Sequence, residues 1–295
     1  MKKRPSVVII GGGISGLATA WWLHKASFDV VVLEREQELG GTMQTIHDRG
    51  WLIESGPNSA LETTPLFKTL TADTGLAGEV VYANEIGNNR YILRGGKLHA
   101  LPMSPGAFLK SHLWSTGGKL RLLKEPFIGR ADHEETIARF VERRLGREFL
   151  DYAINPFVAG VYAGNPEELS VRAAFPKLYA LEERYGGLIK GQIRGRSERG
   201  KRAEKSKDRA RMFAFSRGMQ TFPQALGKAL AKRVFTGTTV QRISENRNTG
   251  SARFTVTGTR KHRNVMYRAD AVISAIPSYS AAQLLSRIDA PLSES

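Results

Sequence analysis

The sequence contains no cysteine among its 295 residues. Disulfide bonds, thiolate metal sites and cysteine nucleophiles are therefore excluded, and the composition fits a reducing compartment. No apolar run approaches the roughly 18 residues that a membrane-spanning helix requires. The apolar run after the basic N-terminus breaks at Gly11, too early for an export signal. We therefore expect a cytoplasmic protein that contacts a membrane, if at all, only at its surface.

Acidic residues are few, 28 against 44 basic residues, so the net charge is +16. Such an excess favours an anionic partner: nucleic acid, anionic lipid or an acidic substrate. The segment Arg194–Arg211 alone holds nine basic and three acidic residues, a net charge of +6. We interpret this segment as a solvated loop that can contact acidic phospholipid head groups. It has no aromatic residue for base stacking, so nucleic acid is not the favoured partner.

The N-terminal segment has the pattern of a βαβ unit. Val7–Ile10 and Val30–Leu33 are wholly apolar, as expected for strands buried on both faces, and Ser15–Lys25 between them has helical apolar spacing. Helical patterns dominate from about Ser104 to Tyr185, and strand-like alternation returns near the end of the sequence. This order predicts an α/β fold. We expect a Rossmann-like, doubly wound domain, discontinuous because an α+β region is inserted in it.

A glycine-rich motif, Gly11-x-Gly13-x-x-Gly16, lies directly between the first strand and the first helix. Gly11 allows a tight turn, Gly13 leaves room for a pyrophosphate, and Gly16 lets helix and strand pack closely. The free N–H groups and partial positive charge at the start of the helix favour binding of a diphosphate. We therefore predict a dinucleotide site formed by Gly11, Gly12, Gly13, Ile14, Ser15 and Gly16.

An acid and a second pair of glycines follow the second strand. Glu34 stands at the strand end, where a carboxylate accepts hydrogen bonds from ribose hydroxyls and repels a 2′-phosphate. Gly40-Gly41, with Thr42 behind it, lets the chain pass close under an extended dinucleotide. The turn within Glu54–Ser59 can bring backbone amides to a flavin. In this order, these pieces favour FAD over NAD.

Together these pieces resemble the FAD-binding signature of the amine oxidase-like flavoproteins. Within that superfamily, four further stretches resemble the protoporphyrinogen oxidase family, including its coproporphyrinogen-oxidising members: Asn88–Pro102, Asn155–Leu178, Gly218–Leu226 and Asp270–Pro277. The second stretch is the most specific, because it is long and free of compositional bias. The resemblance covers essentially the whole chain.

The resemblance implies roles for individual residues. The residues matched to the FAD contacts of the family are Gly11–Gly16, Glu34, Arg35, Gly41, Thr42, Gly56, Pro57, Asn58, Ser59 and Val240. Arg90 matches an arginine that pairs with a propionate of the tetrapyrrole, as a guanidinium can do in a bidentate manner. Gly160 and Gly164 match a stretch near the substrate pocket. Two positions depart from the pattern: Arg217 replaces the first of two glycines, and Thr42 stands where amine oxidases usually have arginine.

The implied reaction is the FAD-dependent oxidation of a porphyrinogen, protoporphyrinogen IX or coproporphyrinogen III, with oxygen as acceptor. Because the flavin carries the redox chemistry, neither a catalytic side chain nor a metal site is expected.

We expect FAD-domain parts at residues 1–87 and 216–295, and a substrate- and membrane-binding insertion at 88–215 with its basic loop at 194–211. Family members are longer, so the resemblance implies a C-terminally truncated chain that retains FAD weakly, and activity of this fragment alone is not assumed. A homodimer is a further expectation.

Two other interpretations stay open. An amine oxidase or carotenoid desaturase would keep the FAD fold and change the substrate, although the Asn155–Leu178 stretch favours a porphyrinogen. A basic nucleic-acid- or membrane-binding protein with a structural flavin would account for the charge. The basic residues, however, are concentrated in one segment, and the sequence has no nucleic-acid motif.

Overall fold

The computed structural model describes residues 4–84, 90–102, 104–194, 210–246, 252–286 and 288. The chain divides into two compact units. The first unit consists of Met1–Ala83 and Glu204–Ser295, and the second is Asn84–Ala203. The first unit is thus built from two separate stretches of chain, with the second unit inserted between them.

The described strands and helices follow one another in this order along the chain. The strands are β1 Ser6–Ile10, β2 Asp29–Leu33, β3 Thr45–Asp48, β4 Trp51–Glu54, β5 Ala60–Leu61, β6 Val80–Tyr82, β7 Tyr91–Arg94, β8 Lys97–Ala100, β9 Met212–Phe215, β10 Val234–Phe235, β11 Thr238–Glu245, β12 Phe254–Arg260, β13 Arg263–Ala269 and β14 Ala271–Ser274. The helices are α1 Ile14–Lys25, α2 Leu66–Asp73, α3 Pro105–Lys110, α4 Thr116–Arg121, α5 Ile137–Arg144, α6 Arg147–Phe149, α7 Asn155–Tyr162, α8 Val171–Ala174, α9 Pro176–Tyr185, α10 Leu188–Arg194, α11 Thr221–Leu230 and α12 Ser278–Leu285.

A four-stranded parallel sheet, in the order β10-β2-β1-β14, forms the centre of the first unit. In its register, Ile9 of β1 lies between Val32 of β2 and Ile273 of β14. Val7–Ile10 are all buried, because layers cover both faces of the sheet. The predicted βαβ unit and the α/β fold class are confirmed.

The two faces of this sheet have different cover. On one face, Ile9 and Val32 belong to a core cluster with Leu17 of α1 and Leu226 of α11. On the other face, Val8 belongs to a second cluster with residues of the antiparallel sheet β11-β12-β13. The layer on that face is therefore a three-stranded meander, where a doubly wound sheet would have helices. The meander matters for the site because its first strand, β11, passes beside the end of β2.

A small sheet moves one predicted boundary. β9 pairs antiparallel with β5 and β6, so Met212–Phe215 belongs to the first unit. These residues lie within the insertion of 88–215 that the sequence predicts. The reason for the difference is the apolar side of β9: Phe213 and Phe215 are buried against Phe67 of α2.

The second unit is mostly helical and begins with a hairpin. β7 and β8 pair antiparallel and turn at Gly95 and Gly96, both with positive φ, a conformation that favours glycine. The core of the helical part includes Ile137, Phe140 and Leu150. No helix among the described residues is both long and apolar enough to cross a bilayer. Most of the predicted basic loop 194–211, namely residues 195–209, lies outside the described residues.

Candidate cofactor site

The glycine-rich loop between β1 and α1 has the close contacts that its pattern predicts. Gly11 has a φ of 110°, a conformation that other residues rarely adopt. A Cβ on Gly16 would lie 2.0 Å from the carbonyl oxygen of Gly11, so any side chain there would push the helix away from the strand. A Cβ on Gly13, in contrast, would meet nothing nearer than the Gly40 carbonyl at 3.9 Å. No contact within the protein therefore requires glycine at position 13. The free space around this position lies where a ligand would approach the loop.

The start of α1 is open to an anion. Gly13 is the N-cap residue in an extended conformation, and no side chain caps the helix. No acidic residue stands in the first turn. The first N–H groups of a helix have no partner within it and carry a partial positive charge, so a diphosphate can accept their hydrogen bonds.

Glu34 is fixed at the end of β2 by hydrogen bonds to both of its carboxylate oxygens. Oε2 accepts a bond of 2.5 Å from the Gly12 nitrogen, and Oε1 accepts one of 2.8 Å from the Glu36 nitrogen. The side chain is only 9% exposed. Each carboxylate oxygen can accept more than one hydrogen bond, so capacity is left for ribose hydroxyls. Gly12 therefore acts by orienting the acid.

The second glycine pair forms the wall opposite the loop. The Gly40 nitrogen donates a 3.0 Å hydrogen bond to the Gly12 carbonyl oxygen. Gly40 and Gly41 have φ values of 126° and 59°, which favour glycine at both positions. A Cβ on Gly40 would lie 2.5 Å from the Met43 carbonyl oxygen. The chain can make this turn close to the glycine-rich loop only because Gly40 and Gly41 have no side chains.

These parts surround one cavity of about 760 Å³ inside the first unit. It lies at the carboxyl ends of β1 and β2, where α/β sheets bind their ligands. The sequence-predicted residues that line it are Gly11, Gly13, Ile14, Ser15, Glu34, Arg35, Gly41, Thr42 and Val240. Its lining includes the start of α1, Glu34 and Val240, so the helix N–H groups would hold a diphosphate and Glu34 would hold a ribose.

One side of the cavity was missed by sequence reasoning. It is formed by Ala275, Ile276, Pro277, Tyr279, Ser280, Gln283 and Leu284, which lead from β14 into α12. A Cβ on Gly11 would lie 2.7 Å from the Ala275 carbonyl oxygen, so this segment passes directly beside the glycine loop. The Asp270–Pro277 stretch was noted for its resemblance, but no local pattern shows that β14 pairs with β1.

Other predicted site residues lie elsewhere. Gly56 to Ser59 do not line the cavity: a Cβ on Gly56 would lie 1.8 Å from the Thr42 carbonyl oxygen, so this turn supports Thr42. Gly16 also stays behind the loop as a packing residue. Arg90, Gly160 and Gly164 belong to the second unit. Arg90 is exposed at the start of the hairpin, and the space around a Cβ on Gly160 is empty.

The parallel sheet, the glycine loop at a helix start and the acid at the next strand end together define a dinucleotide-binding protein. The family described as "Flavin containing amine oxidoreductase" matches residues 14–294. The chain belongs to this family, and its cofactor is FAD. The cavity fits that assignment, because Gly13 leaves room for the diphosphate and Glu34 is positioned for a ribose.

Curated relatives are porphyrinogen oxidases. The chain is 35% identical to a chloroplastic protoporphyrinogen oxidase of Oryza sativa subsp. japonica over 94% of its length and 54% of the relative's. It is 30% identical to a coproporphyrinogen III oxidase of Bacillus subtilis over 97% of its length and 63% of the relative's. A solved structure from Exiguobacterium sp. 255-15, provisionally named a protoporphyrinogen oxidase, superposes with a TM-score of 0.69 at 25% identity, over 99% of this chain and 64% of that one. The chain thus spans a little over half the length of the relatives it matches.

Proposed function

We propose that this chain is the FAD-binding part of an oxidase that converts a porphyrinogen to the porphyrin. The observation that carries the proposal is the pairing of a cavity built for a dinucleotide with relatives named for porphyrinogen oxidation. FAD, when bound, supplies the redox chemistry by accepting hydrogen from the substrate in two-electron steps, with oxygen as the proposed final acceptor. Neither a side-chain nucleophile nor a metal ion is needed for this reaction.

The residues of this chain bind and orient the cofactor. The N–H groups at the start of α1 hold the diphosphate, and Glu34 holds the ribose. Gly40 to Thr42 line the cavity on the opposite side. On the substrate side, Arg90 is the proposed partner of a propionate carboxylate, because its guanidinium is exposed and permanently charged.

The proposal is tested by supplying alternative substrates to the longest natural polypeptide that carries these 295 residues, loaded with FAD. Protoporphyrinogen IX, coproporphyrinogen III, a primary amine and a carotene precursor are offered separately, with porphyrin fluorescence and peroxide as readouts. Porphyrin formation above the oxygen-only rate from either porphyrinogen supports the proposal and identifies the substrate. Peroxide from the amine, or desaturation of the carotene, without porphyrin formation would assign the protein to another activity of its superfamily.

We also propose that the protein touches a membrane surface through its second unit. Leu120, Leu123 and Phe127 are 58%, 68% and 89% exposed, with the cation Lys124 between them. Apolar side chains beside a basic residue suit the interface of an anionic bilayer. Co-sedimentation with phosphatidylglycerol vesicles should fall in a Leu123→Ser/Phe127→Ser variant, and unchanged co-sedimentation would contradict the proposal. The cytoplasmic location and the homodimer stay predictions of the sequence analysis.

A further inference from the structure

Gln220 lies outside the cavity, immediately before α11, and is only 5% exposed. Its side-chain amide joins the middle of the segment that connects β2 to β3 to the end of that segment. The two N–H groups of Nε2 face three acceptors: the carboxylate Oε2 of Glu38 at 3.0 Å, the Leu39 carbonyl at 3.3 Å and Oε1 of Gln44 at 2.5 Å, so that one hydrogen is shared between two of them. Oε1 accepts a 3.1 Å bond from the backbone nitrogen of Thr45.

Two hydrogen bonds lead from this amide to the wall of the cavity. Gln44, which accepts from Gln220, donates through its own Nε2 to the Gly41 carbonyl oxygen at 3.1 Å. Gly41 lines the cavity with Gly40 and Thr42. Pro223 of the same helix packs behind them, since a Cβ on Gly40 would lie 3.3 Å from its Cγ. The start of α11 therefore supports the Gly40–Thr42 wall from the side away from the cofactor.

A second set of bonds fixes Gln220 itself. The Gln220 nitrogen donates to Oγ1 of Thr45 at 3.1 Å, and that hydroxyl donates to Oε2 of Glu54 at 2.8 Å. The other oxygen of Glu54 accepts a 2.7 Å bond from the Met219 nitrogen. Gly218 has a φ of 93°, and a Cβ there would lie 2.2 Å from the Thr45 side chain. The turn before α11 and the start of β3 thus form one interlocked structure.

The segment between β2 and β3 is not held by the regular backbone hydrogen bonds of a helix or a strand. Residues 34–44 form neither helix nor strand apart from the single bridge of Gly40 with Gly13. Two glycines in this segment increase the number of backbone conformations it can adopt when released. The Gln220 side chain, which reaches from Glu38 to Thr45, therefore adds to the backbone bond between Gly40 and Gly12 in holding this segment.

We infer that Gln220 is a positioning residue for FAD: it pre-orders the Gly40–Thr42 wall and so sets the affinity for the cofactor. This inference rests on the proposed FAD site. When the wall is already ordered, less conformational entropy is lost on FAD binding. Gln220 makes no contact with the cavity, so its effect should be on affinity and flavin environment rather than on the protein's capacity to bind.

The test compares Gln220→Ala with Gln224→Ala, which removes the same groups from an exposed position of the same helix. Apoprotein of each variant is titrated with FAD, and its melting temperature is measured without FAD. We expect Gln220→Ala to raise the dissociation constant about tenfold or more, since buried hydrogen bonds are lost, while Gln224→Ala leaves it unchanged. The absorbance bands of bound flavin should also broaden in Gln220→Ala alone, because a looser wall admits water.

If Gln220→Ala fails to fold, a second variant tests the inference. Glu38 is exposed, so Glu38→Ala should fold, and it removes one of the acceptors that anchor the Gln220 amide. We expect a smaller rise in the dissociation constant, and faster amide hydrogen exchange in the peptide that contains Gly40–Thr42. Wild-type affinity and exchange in every folded Gln220 and Glu38 variant would overturn the inference alone. A wild-type chain that takes up no FAD would overturn the proposed function and this inference with it.

Discussion

The carboxylate of Glu34 accepts a hydrogen bond of 2.5 Å from the backbone nitrogen of Gly12. The bond links the end of β2 to the glycine loop after β1, so the group for the ribose and the group for the diphosphate are set relative to each other. A Cβ on Gly12 would lie 2.9 Å from the Cβ of Glu34, which explains why this position, between the two motif glycines, is also glycine. The position of the Glu34 carboxylate thus depends on Gly12.

Replacement of the acid should weaken FAD binding. In Glu34→Gln, one carboxylate oxygen becomes an NH₂ group, which cannot accept a hydrogen bond, so the bond from either the Gly12 or the Glu36 nitrogen is lost. The loss of a charge-assisted bond to ribose corresponds to about 1.5–3 kcal/mol, roughly tenfold to a hundredfold in the dissociation constant. FAD titration of the apoprotein measures it. Asp48→Asn, which removes an exposed acid of the same unit, is the control and should bind as wild type does. Equal affinity in Glu34→Gln would argue against the ribose contact.

Two glycines of the loop should respond differently to alanine. In Gly16→Ala, the new Cβ would lie 2.0 Å from the Gly11 carbonyl, so we expect a lower melting temperature without FAD. In Gly13→Ala, the nearest protein atom is 3.9 Å away and the backbone is extended, so the apoprotein should keep its stability. The methyl group would occupy cofactor space, and the affinity for FAD should fall about tenfold or more.

Gly78→Ala is the control for both glycine variants, since its Cβ would meet nothing within 4 Å. It should change neither melting temperature nor affinity. Wild-type FAD affinity in Gly13→Ala would show that no diphosphate approaches the loop at that point.

Local signals account for the parts that sequence reasoning found. Apolar runs without alternation marked β1 and β2, the glycine spacing marked the loop between β1 and α1, and the position of Glu34 marked the ribose site. Each of these features is set by residues adjacent in sequence, so a single sequence can reveal it.

The parts that sequence reasoning missed depend on distant pairings. Ala275 reaches the glycine loop only because β14 pairs with β1, and Gln220 meets its partners Thr45 and Glu38 across 175 and 182 positions. Met212–Phe215 was assigned to the insertion because nothing in its own residues shows which strands it will join. The turn at Gly56 was expected to contact the flavin, yet its close contact with Thr42 appears only in three dimensions.

The ion pair of Arg217 with Glu79 should make stability depend on pH in the acid range. Hydrogen bonds from the guanidinium lower the pKa of the Glu79 carboxyl. Because the folded-state pKa is lowered, the pair stabilises the fold above the ordinary glutamate pKa of about 4.3, and this contribution disappears as the pH falls through the folded-state value. The difference in melting temperature between wild type and Arg217→Ala should therefore shrink as the pH is lowered below about 4.3. Lys228→Ala, an exposed charge removal on α11, should show no such trend.

A buried ion-pair cluster should decide the stability of the second unit. Arg144 is fully buried and binds Glu125 at 2.8 Å and Glu182 at 2.6 Å, and Glu125 also accepts from the Leu188 nitrogen. Arg144→Leu would leave the buried carboxylate of Glu125 without its cation and Glu182 with Arg143 alone, a loss of about 3–5 kcal/mol. Arg147→Leu, which breaks an exposed pair with Asp151, should cost less than about 1 kcal/mol. Urea denaturation, followed by the proteolytic susceptibility of the second unit, measures the loss of stability in both variants. Equal losses in Arg144→Leu and Arg147→Leu would contradict a stabilising role of the buried cluster.

Substrate affinity should depend on Arg90. In the longest polypeptide that carries this sequence, Arg90→Ala should raise KM for the porphyrinogen while FAD content stays at the wild-type level, because Arg90 belongs to the second unit and the cavity residues to the first. Lys97→Ala removes an exposed cation from the same hairpin and should leave KM unchanged. Equal KM values for wild type and Arg90→Ala would remove Arg90 from the substrate site.

The central claim is that the cavity between the glycine loop, Glu34 and the Gly40–Thr42 wall holds FAD. It is tested most directly by titrating the 295-residue apoprotein with FAD and following the quenching of flavin fluorescence, with Gly13→Ala titrated in parallel. We expect saturable binding to the wild type and at least about tenfold weaker binding to Gly13→Ala. A wild-type chain that stays folded and leaves the fluorescence of excess FAD unchanged would contradict it.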